Sequence, residues 1–159
     1  MSQPTYRLRA LILRRTKLGE SDLILTMLAE DGSLAKAVAK GARKPKSSFA
    51  ARTEPLCAVD LLCARGRSLD IVKEARLAAA HDRLRRTVES STAAMPVLEL
   101  LGRVAQPALE NPRLFQATDR ALRAMDAADE AHVLAVAAAS LLKTLAFSGL
   151  RPSLEVCVS

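Results

Sequence analysis

The 159-residue chain has no tryptophan, one tyrosine and three phenylalanines. A core without large rings must be aliphatic, built from Leu, Val and Ala. The same shortage leaves few side chains for base stacking, with Tyr6 and Phe49 the only ones in the first half. Two histidines and three cysteines leave little room for a His-dependent active site or a multi-ligand metal centre. His81 and His132 have no neighbouring Cys, Ser or Asp arrangement and read as helix-start or helix-surface residues. Asp126, Asp129 and Glu130 read as helix caps and surface charge. No catalytic residue is assigned, and the protein is not expected to be an enzyme.

Long apolar runs are also missing. Residues 1–10 hold no signal-peptide stretch. The most apolar segment, Val133 to Leu142, is interrupted by Lys143. It is about half the roughly twenty residues a membrane span needs, so it reads as a buried core helix, with no membrane partner. Cys57 and Cys63 fall on one expected strand, which separates them by roughly 20 Å, beyond disulfide reach. They read as buried thiols in a reducing, cytoplasmic setting. The segment Gly41-Ala42-Arg43-Lys44-Pro45-Lys46-Ser47 has a slight likeness to a phosphate loop. It is one residue short, and Pro45 removes a backbone donor where a second glycine is needed.

What is present is positive charge, and it is one-sided. The formal net charge is +7. Residues 1–80 carry 15 Lys or Arg against 8 Asp or Glu, whereas residues 81–159 carry 9 of each. Lys36, Lys40, Arg43, Lys44, Lys46 and Arg52 follow one another with no acid between them. A solvated surface mixes signs, so a run of one sign points to an anionic ligand.

The first half has strand periodicity. Tyr6 to Arg15 alternates, with Tyr6, Leu8, Ala10 and Ile12 on one face, and Lys17 to Ser21 reads as a turn. Asp22 to Leu28 is a second strand, followed by Asp31-Gly32, a strong hairpin signal. In Ser33 to Lys40 the alanines Ala35, Ala37 and Ala39 suit an inward face, and Lys36 and Lys40 then project outward together. Gly41 to Thr53 reads as a loop, Glu54 to Ala64 as a fourth strand, and Leu69 to Lys73 as a fifth beyond the turn Arg65-Gly66-Arg67. Five short strands in this space suggest a small closed or partly closed barrel.

From His81 the period becomes helical. Leu84 to Ser90 gives a first turn or two, and Pro96 starts or kinks a helix running through Val104. Asn111-Pro112 starts another, with Asn111 as cap, and Asp129 caps a last helix that Gly149 ends. That last helix is apolar on nearly all sides, which places it in the middle of a bundle.

The expected fold class is therefore α+β. Residues 1–80 form a five-stranded OB-fold-like β-barrel that binds nucleic acid, and 81–159 form an all-α helical domain. In such barrels the ligand crosses one sheet face and is gripped by the first and last hairpin loops. The candidate nucleic-acid-binding residues are Arg14, Lys17, Lys36, Lys40, Arg43, Lys44, Lys46, Arg52, Arg65 and Arg67. With few aromatics, binding should be driven by the nucleic-acid backbone and sensitive to salt.

Gly19-Glu20-Ser21-Asp22, Asp31-Gly32-Ser33-Leu34, the run from Ala39 to Ser47, and Glu54-Pro55 together resemble the bacterial recombination-mediator family RecO, in order and spacing. A second match is the long apolar helix ending in Gly149-Leu150-Arg151-Pro152 before Cys157. The resemblance implies an N-terminal OB-fold, a C-terminal helical domain and binding of single- and double-stranded DNA. It also implies strand annealing in recombinational repair of DNA damage, with RecR and single-stranded DNA-binding protein as partners in loading RecA.

Two departures accompany the resemblance. The usual OB-fold has a helix between its third and fourth strands, and Gly41 to Thr53 is too short and broken for one. Family members also generally continue past the position of Cys157, many with a four-cysteine zinc module. Cys157 has no partner cysteine nearby, so no cofactor is expected; zinc would enter only if the chain continued past Ser159 with a Cys cluster. The helical domain is expected to be incomplete at its C-terminus, with an exposed apolar surface on Val133 to Leu145. Two other readings fit the charge: an OB-type adaptor for the acidic tail of single-stranded DNA-binding protein, and an RNA-binding module.

Overall fold

The computed structural model describes residues 3–155. Its element order is β1 (Thr5–Leu18), β2 (Asp22–Ala29), β3 (Leu34–Ala39), β4 (Ala58–Ala64), β5 (Asp70–Ala79), α1 (Asp82–Arg86), α2 (Val88–Val104), α3 (Pro112–Ala127) and α4 (Glu130–Phe147). The strands close into a barrel in the order β1-β2-β3-β5-β4, with β3 and β5 parallel. This is the expected five-stranded OB-like barrel followed by helices. Residues 41–57, between β3 and β4, are turns with no helix.

β1 belongs to both walls of the barrel. Its first part, Thr5 to Leu11, pairs with β4, and its later part, Ala10 to Leu18, pairs with β2. The register slips between Ile12 and Arg14, leaving Leu13 as the extra residue of a β-bulge. Before the bulge Tyr6, Leu8, Ala10 and Ile12 face inward, as the alternation predicts. They join Leu25, Met27, Val59, Leu61 and Val72 in an aliphatic barrel core. The inward alanines Ala37 and Ala39 are also part of it, beside Cys57 and Cys63. Burial pushes both thiols up to about 11, so they stay protonated packing groups.

A second core lies outside the barrel. Leu11, Leu13, Leu28 and Leu56 meet Leu84, Val97, Leu98, Leu101, Leu122 and Met125 from the helices. The α2–α3 connection docks on the β2–β3 turn, where Leu34 N donates to Gln106 O and Asn111 N donates to Asp31 O. The salt bridge between Arg85 of α1 and Glu54 adds a second tie between the two parts.

Several boundaries differ from the sequence expectation. β1 runs through Lys17 because the bulge restores pairing with β2 as far as Leu18. β4 starts at Ala58 rather than Glu54: Leu56 has φ of 73°, which no strand accommodates. β5 continues to Ala79 rather than stopping at Lys73, held along β4 through two register shifts. Thr87 splits the first helical segment, capping α2 by accepting from Ser90 N, and Pro96 lies inside α2 rather than at its start. Asn111 occupies the cap position of α3 but gives its side-chain N–H to Phe147 O instead. Asp129 does cap α4, accepting from His132 N, and Asp126 caps α1 from a distance by accepting from Leu84 N.

α4 does not sit in the middle of a bundle. Its inner face is small and partly polar, Val133, Ala137, Ser140 and Thr144, against α2 and α3. Leu134 is 68% exposed and Leu142 43%, which matches the expected apolar surface and contradicts the buried-core reading. By length and composition alone α4 is apolar enough to cross a membrane, a test that core helices of soluble proteins also pass. Cys157 lies outside the described residues.

Candidate nucleic-acid interface

The outward rows of the β1–β2–β3 wall follow from the register. Leu11, Leu28 and Leu34 lie under the helices. The next outward row is Arg14, Thr26 and Lys36. Beyond it Thr16, Ile24 and Val38 form a less charged row, then Leu18, Asp22 and the end of β3 before Lys40. Neighbouring strands lie about 4.8 Å apart, so Arg14 and Lys36 stand roughly 10 Å from each other across Thr26. Both are exposed, as is Lys40. Long basic side chains of this kind cover apolar rows with their stems and keep their charge in water.

The loop after β3 is anchored to the β1–β2 turn. Gly41 N donates to Asp22 Oδ1 at 2.8 Å, and Arg43 N donates to Ser21 O at 2.9 Å. Arg43 Nη1 donates to Gly19 O at 3.1 Å, so its guanidinium lies along the turn that follows the β1 end bearing Lys17. The Gly41 N–H and the Ser21 hydroxyl hold the Asp22 carboxyl below its usual range, with Lys40 and Lys44 adding to the effect. Gly41 reaches this position with φ of +66°, a conformation that favours glycine. Lys44 and Lys46 are exposed in the turns that follow.

The other hairpin turn is held by Asp70. It accepts from Tyr6 Oη, from Arg65 Nη1 at 3.1 Å and from Gly66 N at 3.1 Å. Burial works against the Asp70 charge, but these donors outweigh it and hold the carboxyl below its usual range. The Arg65 guanidinium lies 4.0 Å over the Tyr6 ring. Tyr6 is thus occupied on one face and at its hydroxyl, and Arg65 is partly neutralised. Arg67 stays exposed at the tip.

The ten candidate residues are not one cluster. Arg14, Lys36, Lys40 and Arg43 share the outer β1–β2–β3 wall and its loop. Lys17 is in the opposite phase to Arg14, opposite Leu23, at the barrel end. Arg52 is turned to the other wall, where its Nη1 donates to Ala75 O. Sequence reading passed over four cations on that second wall: Arg7, Arg9, Lys73 and Arg76. They line an open groove of about 920 Å³ with Arg52 and Phe49. The available signal was Arg7 and Arg9 alternating with Tyr6, Leu8 and Ala10 in the first part of β1. Among the described residues no group of acidic, His or Cys side chains has metal-site geometry.

The chain matches two family models along nearly its whole length. Residues 1–81 match the model described as Recombination protein O N terminal, and residues 85–159 match Recombination protein O C terminal. Curated relatives include a DNA repair protein RecO of Bifidobacterium adolescentis, 39% identical over 161 residues, covering 98% of this chain and 63% of that protein. Another is a DNA repair protein RecO of Bifidobacterium longum, 36% identical over 156 residues, covering 96% of this chain and 64% of that protein. The chain therefore spans somewhat less than two thirds of the length of these relatives.

Proposed function

From the chain's membership of the RecO family, whose curated members are named DNA repair proteins, we propose that it is a recombination mediator that binds single- and double-stranded DNA through its barrel. The observation that carries this reading is the outward row Arg14–Thr26–Lys36, continued by Lys40 and Arg43, on a wall where Asp22, in the last row, is engaged by the Gly41 N–H. Phosphates approaching such a wall displace their condensed counterions, and affinity is gained in proportion to the contacts made. Thr26, between Arg14 and Lys36, is buried and Ile24 and Val38 beyond it are aliphatic, so these side chains read no base edges and binding is weakly sequence-selective. Bases left unread by the protein remain free to pair, which is what strand annealing requires.

In this proposal the protein promotes annealing of complementary strands and, with RecR and single-stranded DNA-binding protein, loading of RecA. It works in the cytoplasm and without enzymatic turnover. Residues 1–80 act as the nucleic-acid-binding domain and residues 81–159 as the helical domain. Annealing of two complementary labelled oligonucleotides tests it. The charge-reversed double variant Lys36→Glu with Lys40→Glu should lose most of the acceleration over spontaneous pairing while keeping its thermal midpoint. Unchanged acceleration by that variant would overturn the assignment of this wall.

A further inference from the structure

The barrel has a second wall with its own cations. On the outer side of β1, β4 and β5 the register aligns Arg9, Asp60 and Arg76 in one row and Arg7, Leu62 and Glu74 in the next. Arg9 closes a two-bond ion pair on Asp60, its Nε and Nη2 at 2.8 and 3.0 Å from the two carboxylate oxygens. That pairing holds Asp60 below its usual range and satisfies the nearest acid. Arg7, Lys73 and Arg76 are exposed and, among the described residues, have no carboxylate within salt-bridge distance. The loop carrying Phe49 and Arg52 forms the far side of the groove, anchored where Arg52 donates to Ala75 O.

This groove differs in kind from the β1–β2–β3 wall. It is concave, and Phe49, half-buried, lines it among the cations. Phe49 packs one side against the barrel core and lines the groove with the other, whereas Tyr6 lies under Arg65, and Phe115 and Phe147 belong to the helical core. The lining sets Arg7, Arg9, Arg52, Lys73 and Arg76 against the acids Glu30, Asp60 and Glu74, so cations are in excess. A groove with that excess and an aromatic in its wall fits a single nucleic-acid strand, the cations meeting phosphates and the ring meeting a base. β4 neighbours neither β2 nor β3 in the barrel, so the groove faces away from the first wall.

We infer that the groove lined by Arg7, Phe49, Arg52, Lys73 and Arg76 is a second single-strand site, so that one chain holds two strands on opposite walls of its barrel. The inference rests on the reading of the β1–β2–β3 wall as the first site. Two sites on one chain turn the meeting of two strands from a three-body event into two binding steps.

Native mass spectrometry of the full chain with a short thymidine oligonucleotide counts strands per chain, and thymidine strands cannot pair with each other. The wild type should saturate at two strands per chain. Arg7→Glu with Arg76→Glu should saturate at one, its second binding step weakened about tenfold or more. Arg14→Glu with Lys36→Glu should also saturate at one. Arg7→Gln with Arg76→Gln, which adds no like charge beside Asp60 and Glu74, should show the same loss should charge reversal disturb the fold. A wild type that saturates at one strand, or glutamine and glutamate pairs that both still take two, would overturn the second site while leaving the first standing. Absence of any bound strand would instead overturn the reading of both walls. Polyglutamate filling the groove in place of the second oligonucleotide would overturn the assignment in favour of an acidic protein ligand.

Discussion

Arg14 and Lys36 flank Thr26 on the outer wall of the barrel, each one strand away from it, because Leu13 is an extra residue in β1. Without the bulge, the outward phase set by Arg7, Arg9 and Leu11 would continue to Arg15 and Lys17. The bulge instead buries Leu13 against the helices and turns Arg14 outward at the next position. One residue thus serves two purposes: it adds a leucine to the second core and starts the basic face beside it.

The phase has a direct consequence. Arg14→Ala should lower affinity for single strands and flatten the log–log salt dependence by about 0.7, the value of one phosphate contact. Arg15→Ala should change that slope less, since Arg15 is in the opposite phase, across from Leu25, and partly buried, with its guanidinium donating to Ala50 O. Fluorescence anisotropy of a labelled oligonucleotide at several salt concentrations compares the two.

The loop after β3 depends on one carboxylate. Asp22 is held below its usual range chiefly by the Gly41 N–H, so its folded value lies under its unfolded value. Such a group contributes its stabilisation fully above the unfolded value of about 3.9 and loses it as pH falls through the folded value. The hydrogen-exchange protection factor of the Gly41 amide should be steady from about pH 5 to 8 and drop below about pH 4. Asp22→Ala should show the low protection at every pH.

Gly32 joins the barrel to the helices. Its φ is +82°, and a Cβ there would lie 1.8 Å from Asn111 O. Gly32→Ala must strain the backbone and push away the α2–α3 connection. A loss of about 2 kcal/mol or more is expected in urea denaturation, because positive-φ strain alone costs about 1–3 kcal/mol.

The two sides of the helical part should respond differently. Leu134 on α4 is 68% exposed, so Leu134→Lys should change stability by less than about 0.5 kcal/mol. Leu122 on α3 is fully buried, and Leu122→Ala should cost about 2–5 kcal/mol. Chemical denaturation midpoints separate the cases.

These contrasts show what the sequence carried and where it fell short. Strict alternation from Leu34 to Ala39 placed the small alanines inside and Lys36 outside, as they are. The Asp31-Gly32 turn and the Asp129 cap were equally readable, because each is a local device with its own residue signature. The bulge at Leu13 was not, since a slipped register leaves the hydrophobic count unchanged. Leu56 at positive φ was missed for a similar reason: tertiary contact, not propensity, holds it there. α4 looked central because it is apolar on nearly every side, yet its small residues pack inward and its leucines Leu134 and Leu142 do not. Composition cannot distinguish those two orientations. The basic residues were found one by one, but their division between two walls needed the strand order.

The central claim is that the β1–β2–β3 wall holds nucleic acid by its phosphates. The salt dependence of single-strand affinity tests it most directly. Four to six phosphate contacts predict a log–log slope of about −3 to −4 for the wild type. Replacing Arg14, Lys36, Lys40 and Arg43 together by alanine should reduce the magnitude of that slope by about 2 to 3. A wild-type affinity that does not fall with salt, or a slope unchanged in the fourfold variant, would contradict the account.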